Sequence, residues 1–546
     1  MVYYKTVNNK LRQHCIFFML VFLCSLASLG QPRDISKMSS GGKLNPLQAI
    51  MDIRHYTINL DVDIEKQSIK GNAEIRLNLL NQTDTLLLDL LDAMLVTKIK
   101  VNNAVVKFNH QNDKIYITHD GGFKQGQQLI YVEYGGIPPV AVKPPWGGGF
   151  TWTKDSNGNP WVAINCQFEG GKLYFPCKDH PGDESNEGVD LNITVPAALT
   201  VAGPGLLQKV ITKKSRKTFY WKTNYTISNY CVLFNIGKYK VVSDTYTTIN
   251  GNKVPVDFYV LEVDTAHAKK LIQVKIRDTK ILEKYFGEYP WAKEKIGIAE
   301  VPNSGMEHQT MITFQNKFVY KTIGQQDYSD NLFHEYAHEW WANKVTNKDW
   351  AHMWIQEGID VYSEALFCRE ANGERGYDSM MVMIKKGIRN EKPIVQGEEM
   401  NSGDAYIGDI YTKGAFFMHT LRYVLGDELF FPTLKKLATD PKYTYSNFIT
   451  TDDVEQLFSK ASGKNLKPLF DFYLRTTKKL EITVLQTGYN EYGIKATNLP
   501  MPLPIDVLTD AGTKQIMLSD KLIKISSNFT PVIDGKGYYL KTVSSN

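Results

Sequence analysis

The chain has 546 residues, more than a single hydrophobic core usually serves, so we expect several domains. Hydrophobic residues make up 43% and charged residues 22%, proportions that are typical of soluble globular proteins. The net charge of +5 is too small for this length to indicate a nucleic-acid or membrane partner, and we expect no nucleic-acid partner.

The first 30 residues have the features of a signal peptide. Lys5, Lys10 and Arg12 precede the uncharged, apolar run 15–30, which is too short for a typical membrane span. We therefore predict a cleaved signal peptide over 1–30 and export to the periplasm or the extracellular space, with no stable membrane span after cleavage. The alternative is a protein anchored in the membrane by an uncleaved N-terminal segment. Residues 31–46 are expected to form a flexible segment.

Residues 47–246 are predicted to form an N-terminal, antiparallel β-rich domain. Apolar residues alternate with polar ones at several places, for example at Val189, Leu191, Ile193 and Val195. This period of two is typical of half-buried strands. Glycine and proline clusters separate the strands, and no long helical pattern occurs in this region.

The pattern changes after residue 246. Strands are predicted at 256–261 and 295–301, with a helix at 266–286 between them, and the chain is then mostly helical to about residue 477. We assign 247–479 to an α+β catalytic domain. The period of two returns at Leu480, so 480–546 are predicted to form a small C-terminal β-domain. The chain is thus a multidomain α+β protein.

A metal-binding motif stands inside the catalytic region. His334, Glu335 and His338 form the pattern H-E-x-x-H within 330–345, a run without proline or glycine that we predict to be helical. On a helix, side chains four residues apart lie on one face, so both imidazoles can bind one ion. Zinc accepts such ligands, and Glu335 is then placed as the general base for a metal-activated water.

A third ligand is available at a fixed distance. Glu357 follows His338 by 19 residues and lies in a second predicted helix, 353–369. Two histidines and one carboxylate complete the protein ligands of a catalytic zinc site and leave one position open. The alternative is a surface helix with two solvated histidines, which the joint occurrence of motif and distant glutamate disfavours. We expect one zinc ion per chain.

Further motifs together resemble the zinc exopeptidases of the aminopeptidase N and leukotriene hydrolase type, a gluzincin family. The segment Gly305-Met306-Glu307-His308 resembles the family's G-x-M-E-N motif, and Tyr411-Thr412-Lys413-Gly414 resembles its Tyr-x-Lys-Gly stretch. Upstream, residues 166–169 and 175–179 resemble its Q-x-E and F-P-C-x-D blocks. The resemblance spans nearly the whole chain after residue 30 and implies a thermolysin-like catalytic domain.

The resemblance also implies a role for each residue. Glu307 would bind the free α-ammonium of a peptide, with Glu169 and Gln167 assisting. Gly305 and Met306 would offer backbone groups to the substrate. Tyr411 would donate a hydrogen bond to the oxyanion.

Three further residues lie next to these motifs. His308 replaces the family's asparagine after Glu307, and a neutral histidine can still donate one hydrogen bond and accept another. Asp360 and Glu364 follow Glu357 by three and seven residues, so they share its helix face. Either one could orient a ligand imidazole or simply be solvated.

We therefore predict an exported, zinc-dependent aminopeptidase that hydrolyses the N-terminal bond of peptides. The alternative enzyme is a leukotriene-hydrolase-like or thermolysin-like zinc hydrolase that needs no free N-terminus. An inactive relative kept as a binding scaffold is a third possibility, which the intact catalytic set disfavours. The predicted partners are peptides with a free N-terminus. No pairing can be assigned to Cys166, Cys177, Cys231 and Cys368.

Overall fold

The computed structural model describes residues 38–315 and 318–545. The predicted signal peptide lies outside the described residues, as does the start of the segment 31–46. The end of that segment is bound to the fold: the amide of Ser40 donates to the Phe168 carbonyl at 2.7 Å, and the amide of Gly42 donates to the Met400 carbonyl at 3.1 Å. From residue 39 onward, the expectation of a flexible segment is therefore wrong.

The N-terminal region consists of strands. In β1 (Met51–Asp63), buried and half-buried residues alternate along most of the strand, as the period of two predicts. A short helix, α1 (Pro46–Ala49), precedes it. The other strands are β2 (Ser68–Leu79), β3 (Thr83–Asp89), β4 (Met94–Val101), β5 (Ala104–Val105), β6 (Lys107–Gln111), β7 (Lys114–Phe123), β8 (Gly126–Gly136), β9 (Gly149–Lys154), β10 (Pro160–Asn165), β11 (Val189–Pro196), β12 (Thr200–Ala202), β13 (Leu206–Lys213), β14 (Arg216–Thr223) and β15 (Asn235–Gly237).

These strands form three sheets. The largest has eight strands in the order β13-β14-β11-β1-β2-β8-β4-β5, and smaller sheets have the orders β12-β15-β10-β9 and β3-β7-β6. Strands β1 and β11 pair in parallel, whereas the other described pairings of the large sheet are antiparallel. Alternation along a strand does not encode pairing direction, so the sequence did not reveal this exception.

A mixed sheet and a group of helices follow. The strands are β16 (Tyr239–Thr247), β17 (Lys253–Leu261), β18 (Ile296–Val301), β19 (Ile312–Gln315), β20 (Lys321–Ile323) and β21 (Gln326–Tyr328). The helices are α2 (Thr265–Phe286), α3 (Asp330–Ala337), α4 (Trp354–Lys386), α5 (Ser402–Ala405), α6 (Asp409–Leu425), α7 (Asp427–Thr439), α8 (Thr451–Ser462) and α9 (Lys467–Leu474). Strands β16 to β19 form one sheet in chain order.

The last part of the chain returns to strands. They are β22 (Leu480–Gly488), β23 (Glu491–Thr497), β24 (Leu503–Thr509), β25 (Gly512–Leu518), β26 (Ile523–Ser526), β27 (Val532–Ile533) and β28 (Lys541–Ser545). They form two sheets, β26-β23-β22-β28 and β25-β24-β27. The multidomain α+β architecture is therefore as predicted.

Two elements differ in extent from the prediction. Strand β16 pairs with β17 over its whole length, so the sheet of the catalytic region begins before the predicted boundary at 246/247. Helix α3 ends at Ala337, whereas the sequence predicted a helix over 330–345. Helix α4 has non-helical backbone angles at Asn372 and Gly373, close to the predicted end at residue 369.

Among the described residues, no helix combines the length and the apolar character that crossing a membrane requires. The four cysteines 166, 177, 231 and 368 are free and buried.

Candidate active site

Two imidazoles and a carboxylate converge at the end of helix α3. The Nε2 atoms of His334 and His338 lie 3.3 Å apart. The Oε2 atom of Glu357, from the first turn of α4, lies 3.7 Å from the first and 3.4 Å from the second. Helix α3 ends at Ala337, but His338 keeps helical backbone angles (φ −58°, ψ −16°), so the two histidines still share one face.

This geometry fits a zinc ion. Tetrahedral coordination with bonds of about 2.0–2.1 Å places ligand atoms about 3.3–3.4 Å apart, close to the separations found here. Burial disfavours a charged His338, but Asp360 and Glu357 outweigh burial and raise its pKa to about 10. The surroundings therefore favour positive charge at this point. A divalent cation supplies that charge while both imidazoles stay neutral.

The second ring nitrogen of each imidazole, Nδ1, also contacts neighbouring groups of the protein. Nδ1 of His338 donates to the Trp341 carbonyl at 2.7 Å. Nδ1 of His334 lies 2.8 Å from Asp360 and 3.2 Å from Glu364. These contacts direct both Nε2 atoms towards the common centre and make them better ligands. Of the two alternatives left open for Asp360 and Glu364, the structure shows contact with the imidazole of His334.

Two glycines bring the ligand Glu357 close to Tyr411. Gly358 of α4 faces Gly414 of α6, and a Cβ atom on Gly358 would lie 2.7 Å from the Cα atom of Gly414. Only glycine permits such an approach of two helix backbones. Glu357, next to Gly358, and Tyr411, about one helical turn before Gly414, both line one cavity.

The predicted general base and oxyanion donor lie on the same cavity. Glu335 lines it, and its Oε1 atom accepts a hydrogen bond from the Asn331 amide at 2.8 Å. Burial raises the pKa of Glu335 to about 8. The ring of Tyr411 packs 5.9 Å from that of His334 and 5.9 Å from that of Tyr406.

Glu307 forms another wall of the cavity and is 2% exposed. Its Oε1 atom accepts three hydrogen bonds: from Gln167 at 2.5 Å, from Tyr230 at 3.0 Å and from Gln356 at 3.1 Å. Tyr230 and Gln356 were not among the predicted site residues. The position of Gln356 next to the ligand Glu357 was a signal that could have suggested it, whereas nothing in the sequence pointed to Tyr230.

The segment before Glu307 runs along the cavity. Gly305 lines it, and a Cβ atom there would lie 2.6 Å from the Thr313 carbonyl and 2.8 Å from Asn331. Met306 also lines the cavity, but its amide and carbonyl both pair with Thr313. These Met306 groups are therefore already engaged within the protein, which disfavours the backbone pairing with a substrate that was expected of Met306.

Two predicted residues lie away from the cavity wall. Glu169 is buried and accepts a hydrogen bond from the Gly148 amide at 2.8 Å. His308 is fully buried, burial lowers its pKa to about 3, and Nδ1 lies 3.5 Å from the Thr313 hydroxyl. Neither residue is among those that line the cavity.

Fold and site together define a metallohydrolase with two histidines, one glutamate and an adjacent general base. Comparison with known protein families also identifies a peptidase, and the matches cover most of the chain. The Peptidase M1 N-terminal domain matches residues 53–231, and the Peptidase family M1 domain matches residues 272–473. The chain therefore belongs to peptidase family M1, whose zinc metallopeptidases carry a catalytic zinc ion.

Individual relatives are distant. Tricorn protease-interacting factor F2 of Thermoplasma acidophilum is 23% identical over 411 residues, which cover 69% of this chain and 50% of that protein. Aminopeptidase M1-B of Oryza sativa subsp. japonica is 24% identical over 445 residues, which cover 76% of this chain and 48% of that protein. The chain thus spans about half the length of the curated relatives it matches.

One solved structure matches this fold over nearly the whole length of the solved chain. It is an M1 zinc metallopeptidase variant from Deinococcus radiodurans bound to a Tyr-Ser-Ala substrate, with a TM-score of 0.65 and 21% sequence identity. The match covers 80% of this chain and 96% of that one.

Proposed function

We propose that this protein is a zinc-dependent aminopeptidase that hydrolyses the N-terminal bond of peptides. The observation that carries the proposal is the setting of Glu307. Its carboxylate is buried on the wall of the cavity that the metal ligands also line. One of its oxygens accepts from three neutral donors, and in the described part of the chain no lysine or arginine pairs with it. A substrate ammonium supplies the missing counter-charge.

The chemistry follows from the residues around the cavity. His334, His338 and Glu357 would hold zinc, a Lewis acid that polarises a peptide carbonyl and activates water. Glu335, oriented by Asn331, takes the proton of the attacking water and passes it to the leaving nitrogen. Tyr411 donates its hydroxyl hydrogen to the carbonyl oxygen as negative charge develops there.

Glu307 turns this peptide hydrolase into an exopeptidase. By binding the α-ammonium it fixes the first residue of the substrate, so the first peptide bond lies at the metal ligands. A buried carboxylate that pairs with no lysine or arginine among the residues 38–315 and 318–545 favours this ammonium strongly and disfavours a continuing neutral peptide chain.

The test compares a free tripeptide with the same tripeptide acetylated at its N-terminus, using zinc-loaded protein. We expect the free peptide to be cleaved with a kcat/KM at least about a hundredfold higher, since a lost buried charge pair costs several kcal/mol. Chelation should abolish cleavage and added zinc should restore it. Equal rates for both peptides would contradict the aminopeptidase proposal.

The second candidate is a zinc hydrolase that needs no free N-terminus. The metal ligands, Glu335 and Tyr411 would serve it equally well, because their chemistry does not depend on the amine. Its support is limited to this shared set, whereas the setting of Glu307 favours the aminopeptidase. Equal cleavage of the two tripeptides would identify this second function.

We further propose that the protein is exported. The support is the sequence of residues 1–30, with basic residues before an apolar run. Expression of the full chain followed by N-terminal sequencing of the secreted protein tests this, and a start near Gln31 is expected. An uncleaved protein in the membrane fraction would indicate the anchored alternative.

A further inference from the structure

We infer that Trp146 and Phe168 determine which N-terminal residues the protein accepts. Together with Tyr406 they form an aromatic wall of the cavity, and this wall binds a large apolar side chain, such as that of phenylalanine or leucine, at the first position of the peptide. The inference rests on the proposed aminopeptidase function, because it names the peptides that this function would favour.

The three rings of the aromatic wall contact one another. The rings of Phe168 and Tyr406 meet edge to face, with their centroids 4.8 Å apart and an angle of 83° between the ring planes. The indole nitrogen of Trp146 donates to the Tyr406 hydroxyl at 2.8 Å. This bond satisfies the one polar atom of the tryptophan side chain, so the indole surface that remains free is apolar.

Trp146 is fixed in place although it is exposed. It lies on a turn in which the amides of Val142 and Lys143 donate to the Gly147 carbonyl at 3.0 and 3.2 Å, and the Gly147 amide donates to the Lys143 carbonyl at 2.9 Å. The Trp146 side chain is nevertheless 52% exposed. Because its position is already fixed, a ligand that covers this ring gains buried apolar area at a small cost in conformational freedom.

The aromatic wall lies beside the first residue of the bound peptide. At one end, Phe168 follows Gln167, which donates at 2.5 Å to Glu307, the residue that binds the ammonium. At the other end, the Tyr406 ring packs 5.9 Å from that of Tyr411, the donor to the peptide carbonyl oxygen. The side chain of the first residue leaves the Cα atom between its ammonium and its carbonyl group, so it faces this wall.

The charges of the cavity also favour an apolar first side chain. Among the described residues that line the cavity, the acidic and basic ones are Glu307, His334, Glu335, His338 and Glu357. Each of them already acts on the ammonium, the metal or the attacking water. A charged first side chain would therefore lose its hydration without gaining a partner of its own, whereas an apolar one gains by leaving water.

The experiment measures kcat/KM for the peptides Phe-Gly-Gly, Leu-Gly-Gly, Ala-Gly-Gly and Lys-Gly-Gly with zinc-loaded protein. We expect the first two to be cleaved at least about tenfold more efficiently than the last two. Trp146→Ala and Phe168→Ala should each lose about tenfold for Phe-Gly-Gly and stay within about twofold for Ala-Gly-Gly. Trp146→Phe keeps an apolar ring and should stay within about threefold for both peptides.

The ratio between peptides separates specificity from structural damage, because damage lowers the cleavage of every peptide. Val142→Ala is the matched control: Val142 lies on the same turn, is 75% exposed and is not among the residues that line the cavity. We expect this variant to stay within about twofold for all four peptides. An equal loss for Phe-Gly-Gly and Ala-Gly-Gly in Trp146→Ala, or an unsubstituted protein that prefers the alanine or lysine peptide, would overturn the inference.

A second readout does not need turnover. Isothermal titration calorimetry of the zinc-loaded protein with free L-phenylalanine and free L-alanine measures the affinity of the wall directly. We expect phenylalanine to bind at least about tenfold more tightly, and Trp146→Ala to remove most of this difference. Equal affinities in the unsubstituted protein would refute the aromatic wall as a binding site. Equal cleavage of free and acetylated tripeptides would refute the proposed function, while these affinities would still decide the role of Trp146.

Discussion

The Oε1 atom of Glu307 accepts hydrogen bonds from three side chains that lie far apart in the sequence. Gln167 and Tyr230 precede Glu307 by 140 and 77 residues, and Gln356 follows it by 49. All three donate to the same oxygen, so they fix the orientation of the carboxylate. The donors orient the charge without neutralising it.

Removing one donor should weaken amine binding more than catalysis. We expect Tyr230→Phe to raise KM for free peptides about tenfold with little change in kcat, since a hydrogen bond to a charged group is worth about 1.5–3 kcal/mol. Steady-state kinetics with a tripeptide series checks this. A fall in kcat at constant KM would instead mean that Tyr230 acts on the reacting bond.

Glu335 and His334 should give different results when substituted. Glu335→Gln is expected to keep zinc and to lose turnover by at least about a hundredfold, because it removes the proton acceptor but no metal ligand. His334→Ala should lose both zinc and turnover. Metal analysis beside kinetics makes the distinction, and near-normal activity of Glu335→Gln would contradict its role as the general base.

At this scale the sequence predicted the residues that belong to short motifs. His334, His338 and Glu357 were predicted from spacing, and the structure brings their ligand atoms together. The neighbours of Glu307 were not predictable in this way, because Tyr230 reaches it only through tertiary packing. The position of Glu169 was likewise decided by its contact with the Gly148 amide, which no motif describes.

Helix α3 ends earlier than its sequence suggests because the following residues form a tight turn. The carbonyl of Trp341 accepts from His338, and the Val345 amide donates to the Trp340 carbonyl. Ala342 in this turn has φ of 129°, a backbone conformation that disfavours side chains with a Cβ atom. Residues 338–345 include no glycine or proline, so the sequence carried no signal for the turn.

The strain at Ala342 leads to a prediction about stability. Ala342→Gly should stabilise the protein by about 1 kcal/mol, because relief of about 1–3 kcal/mol of strain exceeds the extra chain entropy of glycine. Thermal unfolding of the metal-free protein measures the change. Gly408→Ala, at a position with open space around the missing Cβ, is the control for a glycine–alanine exchange. A destabilised Ala342→Gly protein would show that the turn is not strained.

Across the whole molecule, the β-rich region is joined to the loop after helix α3 by a buried carboxyl group. Glu184 accepts hydrogen bonds from Thr226 at 2.7 Å and from Thr346 at 3.2 Å. Burial raises the pKa of Glu184 to about 8. The folded protein therefore keeps this group protonated at pH values where the unfolded chain has already released the proton.

This shift predicts how stability depends on pH. The contribution of Glu184 is fully present below its unfolded pKa of about 4.5 and is lost as the pH rises to about 8. Glu184→Gln keeps an acceptor and cannot ionise. We expect it to be more stable than the unsubstituted protein by a few kcal/mol at pH 8.5, with little difference at pH 4.5. Denaturant unfolding at both pH values checks this, and a constant difference would contradict it.

The order of the β-rich, mixed and β-rich regions was predictable because the spacing of apolar residues can be seen directly in each segment of the sequence. The pairing between strands that are distant in the sequence was not predictable. The sequence pattern of strand β16 does not distinguish it from the strands of the N-terminal region, but β16 pairs with β17. The parallel pair β1–β11 joins strands that are more than a hundred residues apart in the sequence. Local patterns describe which face of a strand is buried, and tertiary contacts decide its neighbour.

The central claim is that the metal ligands and Glu307 act on the two sides of one N-terminal peptide bond. A crystal structure of zinc-loaded Glu335→Gln with an uncleaved free tripeptide tests it most directly. We predict anomalous zinc density between the Nε2 atoms of His334 and His338 and Oε2 of Glu357, with the peptide ammonium on the Oε2 side of Glu307. An ammonium bound away from Glu307, or a peptide whose N-terminus extends past Glu307, would contradict the account.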